Sequence, residues 1–543
     1  MSFGGGLLVL PVAFVAVFYA WPFLTLLAGA ATSGAATTVL RRASTAEVVW
    51  FTCWQAVLST LLTLLIGLAP AYVLARFRFA GRRLLGGLLT AAFVLPTVVM
   101  GAAFLALLPG SAERGVVAIL AAHVAFNLAV VVRTVGAVWQ HLPEDMEAAA
   151  ATLGASPARV AQEITLPLLW PAILAAGSIV FVFTFTSYGV VRVLGGPGRS
   201  TVEVEIWRRA TQLGDTTGAA LLAVGQLVVM GLVVWWSARQ QRHHSRALGL
   251  RPLARRRRPR RGGERRLVTV TAVVTAVVVG APLAALVERS VHTREGWSLE
   301  AWRSLGRPEV QRGIRLGIDP LDALATSLRT AAIATLVAVA IGGLAAVGIV
   351  ATRRAGRLVD TGLMLPIATS AVTIGFGMLI TFDRGWYDWR ASWWLVPVGQ
   401  ALVAIPFVVR AVLPVLRGID SHLHEAAATL GAGPVRAWRE VTLPHLWRPL
   451  LTAAGLAAAI SLGEFGATSF LSRSGSETVP VAIERLLGRT GAILQAQAYA
   501  LSAILAAATI AVVLALEPPD ERITGMTRGA LDRRSDADGA GRP

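Results

Sequence analysis

The chain has 543 residues, of which 55% are hydrophobic and 15% charged, with a mean hydropathy of +0.63 and a formal net charge of +19. Soluble domains are roughly 25% charged, so a single water-soluble globule is excluded. The positive charge does not form a nucleic-acid surface either, because twelve Arg against one Glu are concentrated in residues 239–266, between two apolar blocks. A basic block flush against apolar segments reads instead as a positive-inside signal in contact with membrane lipid.

Taken in chain order, apolar windows fall near 7–29, 49–75, 84–108, 115–138, 168–191 and 219–236, and again near 267–287, 325–352, 359–382, 393–416, 449–471 and 494–516. Each approaches the roughly 20 residues that a bilayer crossing needs. The pattern predicts an all-α polytopic membrane protein with about twelve spans. Residues 7–29 are too long an apolar run, and lack the basic start, for a cleaved signal, so they read as a retained first span. Cys53 is alone and sits in the second window, where it serves packing. The run at 168–191 is the least regular, with Thr184, Thr186, Ser187 and Tyr188 interrupting it.

Basic residues orient the spans. Arg76, Arg78, Arg82 and Arg83, the linker, and Arg353, Arg354 and Arg357 all fall on the cytoplasmic side if the N-terminus is cytoplasmic. The opposite connections are balanced, with six Arg and six acids in 288–324 and three of each in 193–218. The expected division is a first half over 1–238, a cytoplasmic linker over 239–266 and a second half over 267–516. A polar, disordered tail follows over 517–543, with both termini cytoplasmic. Six spans per half start both halves on the same side, which makes them parallel repeats.

The repeat is visible in the sequence. "AAAATLGASPARVAQEITLP" (148–167) returns 277 residues later as "EAAATLGAGPVRAWREVTLP" (425–444), and Arg133, Arg159, Glu163 and Trp170 match Arg410, Arg436, Glu440 and Trp447 at the same offset. The phrase begins with strong helix formers, breaks at Gly154 or Gly431, and restarts at Ser156 and Pro157, or Gly433 and Pro434. A further break is expected at Pro167 and Pro444. This predicts a helix–turn–helix on the cytoplasmic side, presented to a groove on another protein. A plain interfacial connector is the alternative, and two copies in register favour docking.

Glu425, Ala426, Ala427, Gly431, Leu443 and Pro444 resemble the EAA loop of membrane subunits of binding-protein-dependent ABC importers. In the first copy Glu147 stands one residue early, and Ala149, Gly154, Leu166 and Pro167 still match. The resemblance implies a type I importer permease fold in a bacterial cell membrane. It also implies two ATP-binding cassette subunits docked on loops 143–167 and 420–444, and an extracytoplasmic solute-binding protein. No cofactor is implied on this chain, with ATP and Mg on the partner ATPase. "SYGVVRVLGGPGRSTVEVEIWRRA" (187–210) and "SLGEFGATSF" (461–470) are similar to thiamine-, ferric-iron- and molybdate-type permeases, so a small solute such as thiamine or ferric iron is expected. A twelve-span transporter driven by an ion gradient is the alternative.

The chain contains no Lys. A Walker A loop needs one to reach the phosphates, so this chain supplies no such ATP site, and no catalytic constellation is evident: it reads as a transport subunit, not an enzyme. "GGPG" (195–198) reads as a turn, and no His or Cys has metal-ligand spacing. Charged residues inside spans default to functional hypotheses. Glu464 and Phe465, with Ser187 and Tyr188 opposite, are the expected translocation-path residues. Two roles stay open for Glu464: contact with a cationic or metal-bearing solute, or a hydrogen bond to a neighbouring helix. His123, Asn127 and Gln400 read as helix-bridging polar groups.

Overall fold

The computed structural model describes residues 2–32, 39, 42–142, 144–196, 198–244, 256–259, 262–293, 296–306, 309–311, 314–315, 319–383, 388–473 and 475–516. Residues 245–255, 260 and 261 of the Arg-rich linker and the tail 517–543 lie outside the described residues.

In the first half, α1 (Ser2–Val15) continues through a π-helical turn at Ala16–Ala20 into α2 (Trp21–Thr32), followed by α3 (Ala43–Arg76), α4 (Arg82–Val94), α5 (Thr97–Leu107) and α6 (Val116–Gln140). The loop helices α7 (Glu144–Thr152) and α8 (Pro157–Val160) precede α9 (Leu166–Phe185), α10 (Gly189–Leu194), α11 (Val202–Thr211) and α12 (Thr216–His244). The second half opens with α13 (Gly262–Val291), the ribbon β1 (His292–Thr293) with β2 (Gly296–Trp297), α14 (Glu300–Arg303), and the ribbon β3 (Glu309–Gln311) with β4 (Ile314–Arg315). It then repeats the plan: α15 (Pro320–Ala351), α16 (Arg353–Ala368), α17 (Ala371–Thr381), α18 (Leu395–Gly418), α19 (Ser421–Thr429), α20 (Pro434–Ala437), α21 (Leu443–Gly463), α22 (Thr468–Leu471), α23 (Val479–Leu487) and α24 (Ala492–Leu516).

Helices dominate because in a bilayer every backbone polar group must find its partner inside the segment. Among the described residues ten helices are long and apolar enough to cross, or twelve if each of two bent pairs counts as one span. The sequence differs from the structure at those pairs. The windows 84–108 and 359–382 are not single rods: α4 and α5 meet at 111°, and Ala355–Ile367 meets Ala371–Thr381 at 97°. At the first bend Pro96 lacks an N–H and holds Leu95 extended, at ψ 142°. At the second, Thr369 is extended, and the Ser370 hydroxyl restarts the helix by accepting from Thr373 N at 3.2 Å.

The first bent pair still carries the chain from one end of the bundle to the other. The end of α3 meets the loop helices through Arg76 and Glu147. Its start, at Thr45, meets Arg209 at the opposite end, where Gly115 N donates to Leu194 O just before α6. The windows 168–191 and 449–471 are likewise shortened, with α9 stopping at Phe185 and α21 at Gly463 before short turns of helix.

The expected breaks at Pro167 and Pro444 do not occur. Ala161–Thr165 and Trp438–Thr442 form π-helical turns that run straight into α9 and α21. A π turn shifts the hydrogen-bond frame by one residue, which accommodates a proline whose ring clashes with the carbonyl four residues back.

The halves interlock. The first rod of each lies on the other half: Leu8 fills the space beside Gly348, Pro22 packs on Gly377, and Tyr19 Oη shares a hydrogen bond of 2.5 Å with Thr369 Oγ1. In return α13 lies on α4 and α5, with Leu88 against Gly280 and Arg289 Nε donating to Ala106 O at 3.4 Å. One buried apolar cluster therefore runs through both halves.

Inside each half a matched close helix crossing is built on a glycine. A Cβ at Gly67 would fall 2.8 Å from Val131 Cβ, and one at Gly342 would fall 2.9 Å from Val408 Cβ. Gly342→Leu is expected to cost about 1–3 kcal/mol by overpacking. Gly343→Leu is the control, because its Cβ meets only the Leu450 side chain at 3.7 Å. Thermal melts of the detergent-purified protein read the difference, and equal melting temperatures refute the close-crossing argument.

Candidate functional site

The loops 143–167 and 420–444 share one geometry. The helix α7 or α19 ends on a left-handed glycine, Gly154 at φ 84° or Gly431 at φ 80°. Ala155 N reaches back to Ala150 O at 3.0 Å and Ala432 N to Ala427 O at 2.9 Å, which satisfies carbonyls the helix end leaves open. Ser156 Oγ accepts from Arg159 N at 3.3 Å and restarts the chain at Pro157. Arg159 to Glu163 and Arg436 to Glu440 are matched i,i+4 ion pairs, both at 2.9 Å. Their neighbouring carboxylate holds the Arg436 guanidinium above its usual pKa.

Ala149, Gly154, Leu166 and Pro167, like Glu425, Ala426, Gly431, Leu443 and Pro444, are exposed, and Ala427 is half-buried. At the tip of each loop an apolar side chain stands free: Leu153 is 89% exposed and Leu430 87%. These two matched leucines were not singled out by sequence reasoning, although they occupy the same place in each "TLG".

The acid positions resolve differently from the aligned pattern. Glu147 Oε1 accepts from Arg76 at 3.2 Å and from Thr165 Oγ1 at 3.0 Å, which ties α7 to the end of α3 and to its own π turn. The position matching Glu147 at the 277-residue offset is His424, which bonds Thr442 Oγ1 at 3.0 Å. Glu425 instead points outward beside His422 at 3.2 Å. The internal strut of each loop is therefore the residue before the alanine run, closed on the Thr of "ITLP" or "VTLP". The described piece of the linker lies alongside: Arg257 N donates to Arg76 O at 3.1 Å, Arg78 N to Arg257 O at 2.9 Å, and Arg256 to Gln140 at 2.8 Å.

A cavity of about 370 Å³ lies between the halves, and Ser187, Tyr188, Glu464 and Phe465 all line it. The helix breaks after Phe185 and Gly463 place them there. Glu464 is turned to its own chain: Oε1 accepts from Ala467 N at 2.7 Å and Oε2 from Thr468 N at 2.9 Å. His123 joins three segments, with Nδ1 3.1 Å from Ser59 Oγ and Nε2 2.9 Å from Ser187 Oγ. Asn127 Nδ2 donates within its own helix to His123 O at 2.9 Å. Gln400 is buried. Cys53 packs beside Ala56, Phe185 and Met230. In "GGPG", Gly196 and Gly198 take the positive φ of a turn, 65° and 79°.

Toward the end opposite the loops the halves close on each other. The matched residues Tyr188 and Phe465 meet with ring centroids 4.9 Å apart. Beyond them Arg192 of the first half bonds Glu484 of the second at 2.8 Å and lies 4.0 Å over the Trp207 ring. Neither member of this ion pair stood out in the sequence, since both fell in segments read as outer loops or helix ends.

Residues 63–243 and 338–517 each match the family "Binding-protein-dependent transport system inner membrane component". The chain is similar to the Thiamine transport system permease protein ThiP of Brucella abortus (strain 2308), 27% identical over 492 residues that cover 86% of each chain. It is similar to ThiP of Escherichia coli (strain K12), 26% identical, covering 81% of this chain and 83% of that one. The Putative 2-aminoethylphosphonate transport system permease protein PhnV of Salmonella typhimurium is 32% identical over 206 residues, which is 37% of this chain and 76% of that protein.

Proposed function

The chain belongs to the family of binding-protein-dependent transport system inner membrane components and carries that domain twice, and on that premise we propose that it is the whole membrane path of an ATP-driven importer for a small organic solute, with thiamine favoured. In this reading an extracytoplasmic binding protein delivers the solute over the Tyr188 and Phe465 closure. The central cavity receives it. Two ATP-binding cassette subunits, which bind the ATP and Mg, grip the loops 143–167 and 420–444 on the cytoplasmic side, where both termini also lie.

The observation that carries the reading is the pair of loops with bare leucines at their tips, Leu153 and Leu430, in matched geometry. Two matched docking points on one chain suit two copies of one motor. Exposed apolar tips rimmed by the Arg159 and Arg436 ion pairs suit a groove on a protein. A transporter driven by an ion gradient has no use for such a pair. Thiamine is favoured over ferric iron because relatives named for thiamine transport align over four-fifths or more of the chain, and because the cavity wall is largely aromatic and aliphatic.

Co-purification of this chain with the ATPase subunits tests the coupling. Uptake of labelled thiamine and of ferric iron in a strain lacking the gene tests the substrate. Failure of any ATPase to associate defeats the importer mechanism, while iron uptake without thiamine uptake reverses the substrate choice.

A further inference from the structure

The central cavity is not chemically symmetric, although its halves are repeats. The bent pairs align at an offset of 274 (Thr97 with Ala371, Leu107 with Thr381), and the later helices at 277. At those offsets Phe93, Phe126 and Phe183 on the first half's wall match Ile367, Val403 and Ile460 on the second's, and all six line the cavity. The three phenylalanines form one cluster, with Phe93 5.8 Å from Phe126 and 6.1 Å from Phe183.

The charge is one-sided too. Glu203, in α11, lines the same wall, and its counterpart at the 277-residue offset is Pro480. Its Oε1 accepts from Gln226, and the Ser370 hydroxyl of the second half lies beside it. Oε2 is buried with no hydrogen bond among the described residues. Glu464, the other carboxylate of the wall, spends both oxygens on backbone N–H groups. No Arg or His is among the described residues lining the cavity.

A buried carboxylate oxygen without a partner is expensive. Glu203 is fully buried in the wall of a chamber that is largely aromatic and aliphatic and has no Arg or His among its described lining residues, so a positive guest in the chamber is the group that would complete it. Aromatic faces attract cations as well, so carboxylate and rings select the same charge. We propose that Glu203 is the charge-selecting residue of the cavity and that the solute it selects is an organic monocation with a flat ring, seated between the phenylalanine wall and this carboxylate. The inference rests on the importer reading above and adds to it the residue that senses the solute's charge.

The test uses the complete transporter in proteoliposomes, with binding protein and ATPase subunits, and compares uptake of thiamine with that of an isostere whose ring cation is replaced by carbon. Glu203→Gln should raise the KM for thiamine at least about tenfold, the loss of one charge-assisted contact. Uptake of the uncharged isostere should change less than about twofold, because only the charge is removed, which also verifies that the variant is folded. Glu203→Asp should recover part of the loss. Equal effects on both solutes make Glu203 merely structural and overturn the proposal, as does an unchanged KM for the cation. If the unaltered transporter rejects thiamine, the substrate choice fails on its own. A panel of flat organic cations and their uncharged counterparts then decides this proposal, and indifference of every cation to Glu203→Gln ends it.

Discussion

Gly431→Asp is expected to abolish uptake while leaving the protein folded and in the membrane. Gly431 and Gly154 have φ of 80° and 84°, so any side chain there bears the left-handed backbone cost of about 1–2 kcal/mol. Asn and Asp bear it best, and their nearly equal size separates conformation from charge. Within the chain a Cβ at either glycine meets nothing within 4 Å. Any larger loss must therefore arise on a partner's surface. Gly431→Asn should keep most uptake and most ATPase association, whereas Gly431→Asp should lose both. The same exchange at Gly154 should cost less, because Glu147 ties that loop to Arg76 as well as to Thr165. Equal losses at the two glycines remove the asymmetry, and full uptake by both Asp variants removes the docking reading.

A covalent tie between positions 188 and 465 should stop transport outright. Tyr188 and Phe465 occupy matched places and touch at a ring-centroid separation of 4.9 Å. The Arg192 and Glu484 pair closes the same end. In a Cys53→Ser background, Tyr188→Cys with Phe465→Cys should carry solute when reduced. Uptake should fall to background once a short bis-methanethiosulfonate bridges them through two disulfides. A bond removes the separated state altogether, rather than shifting its population. Reduction should restore uptake, and continued uptake by a fully bridged protein means that solute passes elsewhere.

The parts of this structure that were legible in sequence are those written in local pattern. The apolar blocks gave the helices, the echo of residues 148–167 gave the repeat, and Gly154 and Gly431 gave the left-handed turns. The bends were not legible, because a hydropathy window averages across Leu95 and Pro96. Thr369 and Ser370 carry no proline between them at all. The continuous helix through Pro167 was missed because proline reads as a stop unless a π turn is foreseen, and that frame shift leaves no trace in composition. Crossing of each first rod onto the opposite half depends on contacts far apart in the chain, 350 residues for Tyr19 with Thr369 and 183 for Arg289 with Ala106. Glu203 was hidden among balanced charges in a segment read as an outer loop, where nothing local distinguishes it from Glu205, which is equally buried but paired with Arg208 and Arg209.

The uninterrupted backbone from Pro157 to Phe185 and from Val435 to Gly463 has a mechanical meaning. Each is a stiff spoke with its hub at the loop and its tip at the cavity. At 1.5 Å per residue, the 29 residues in each span about 43 Å, so tilting a spoke by about 10° at the loop sweeps its far tip by roughly 7 Å. That sweep exceeds the 4.9 Å that separates the Tyr188 and Phe465 rings, and these rings lie just past the two tips. Leverage alone therefore lets a small rotation at the loops part the closure, without any hinge in between and without unfolding a turn of helix.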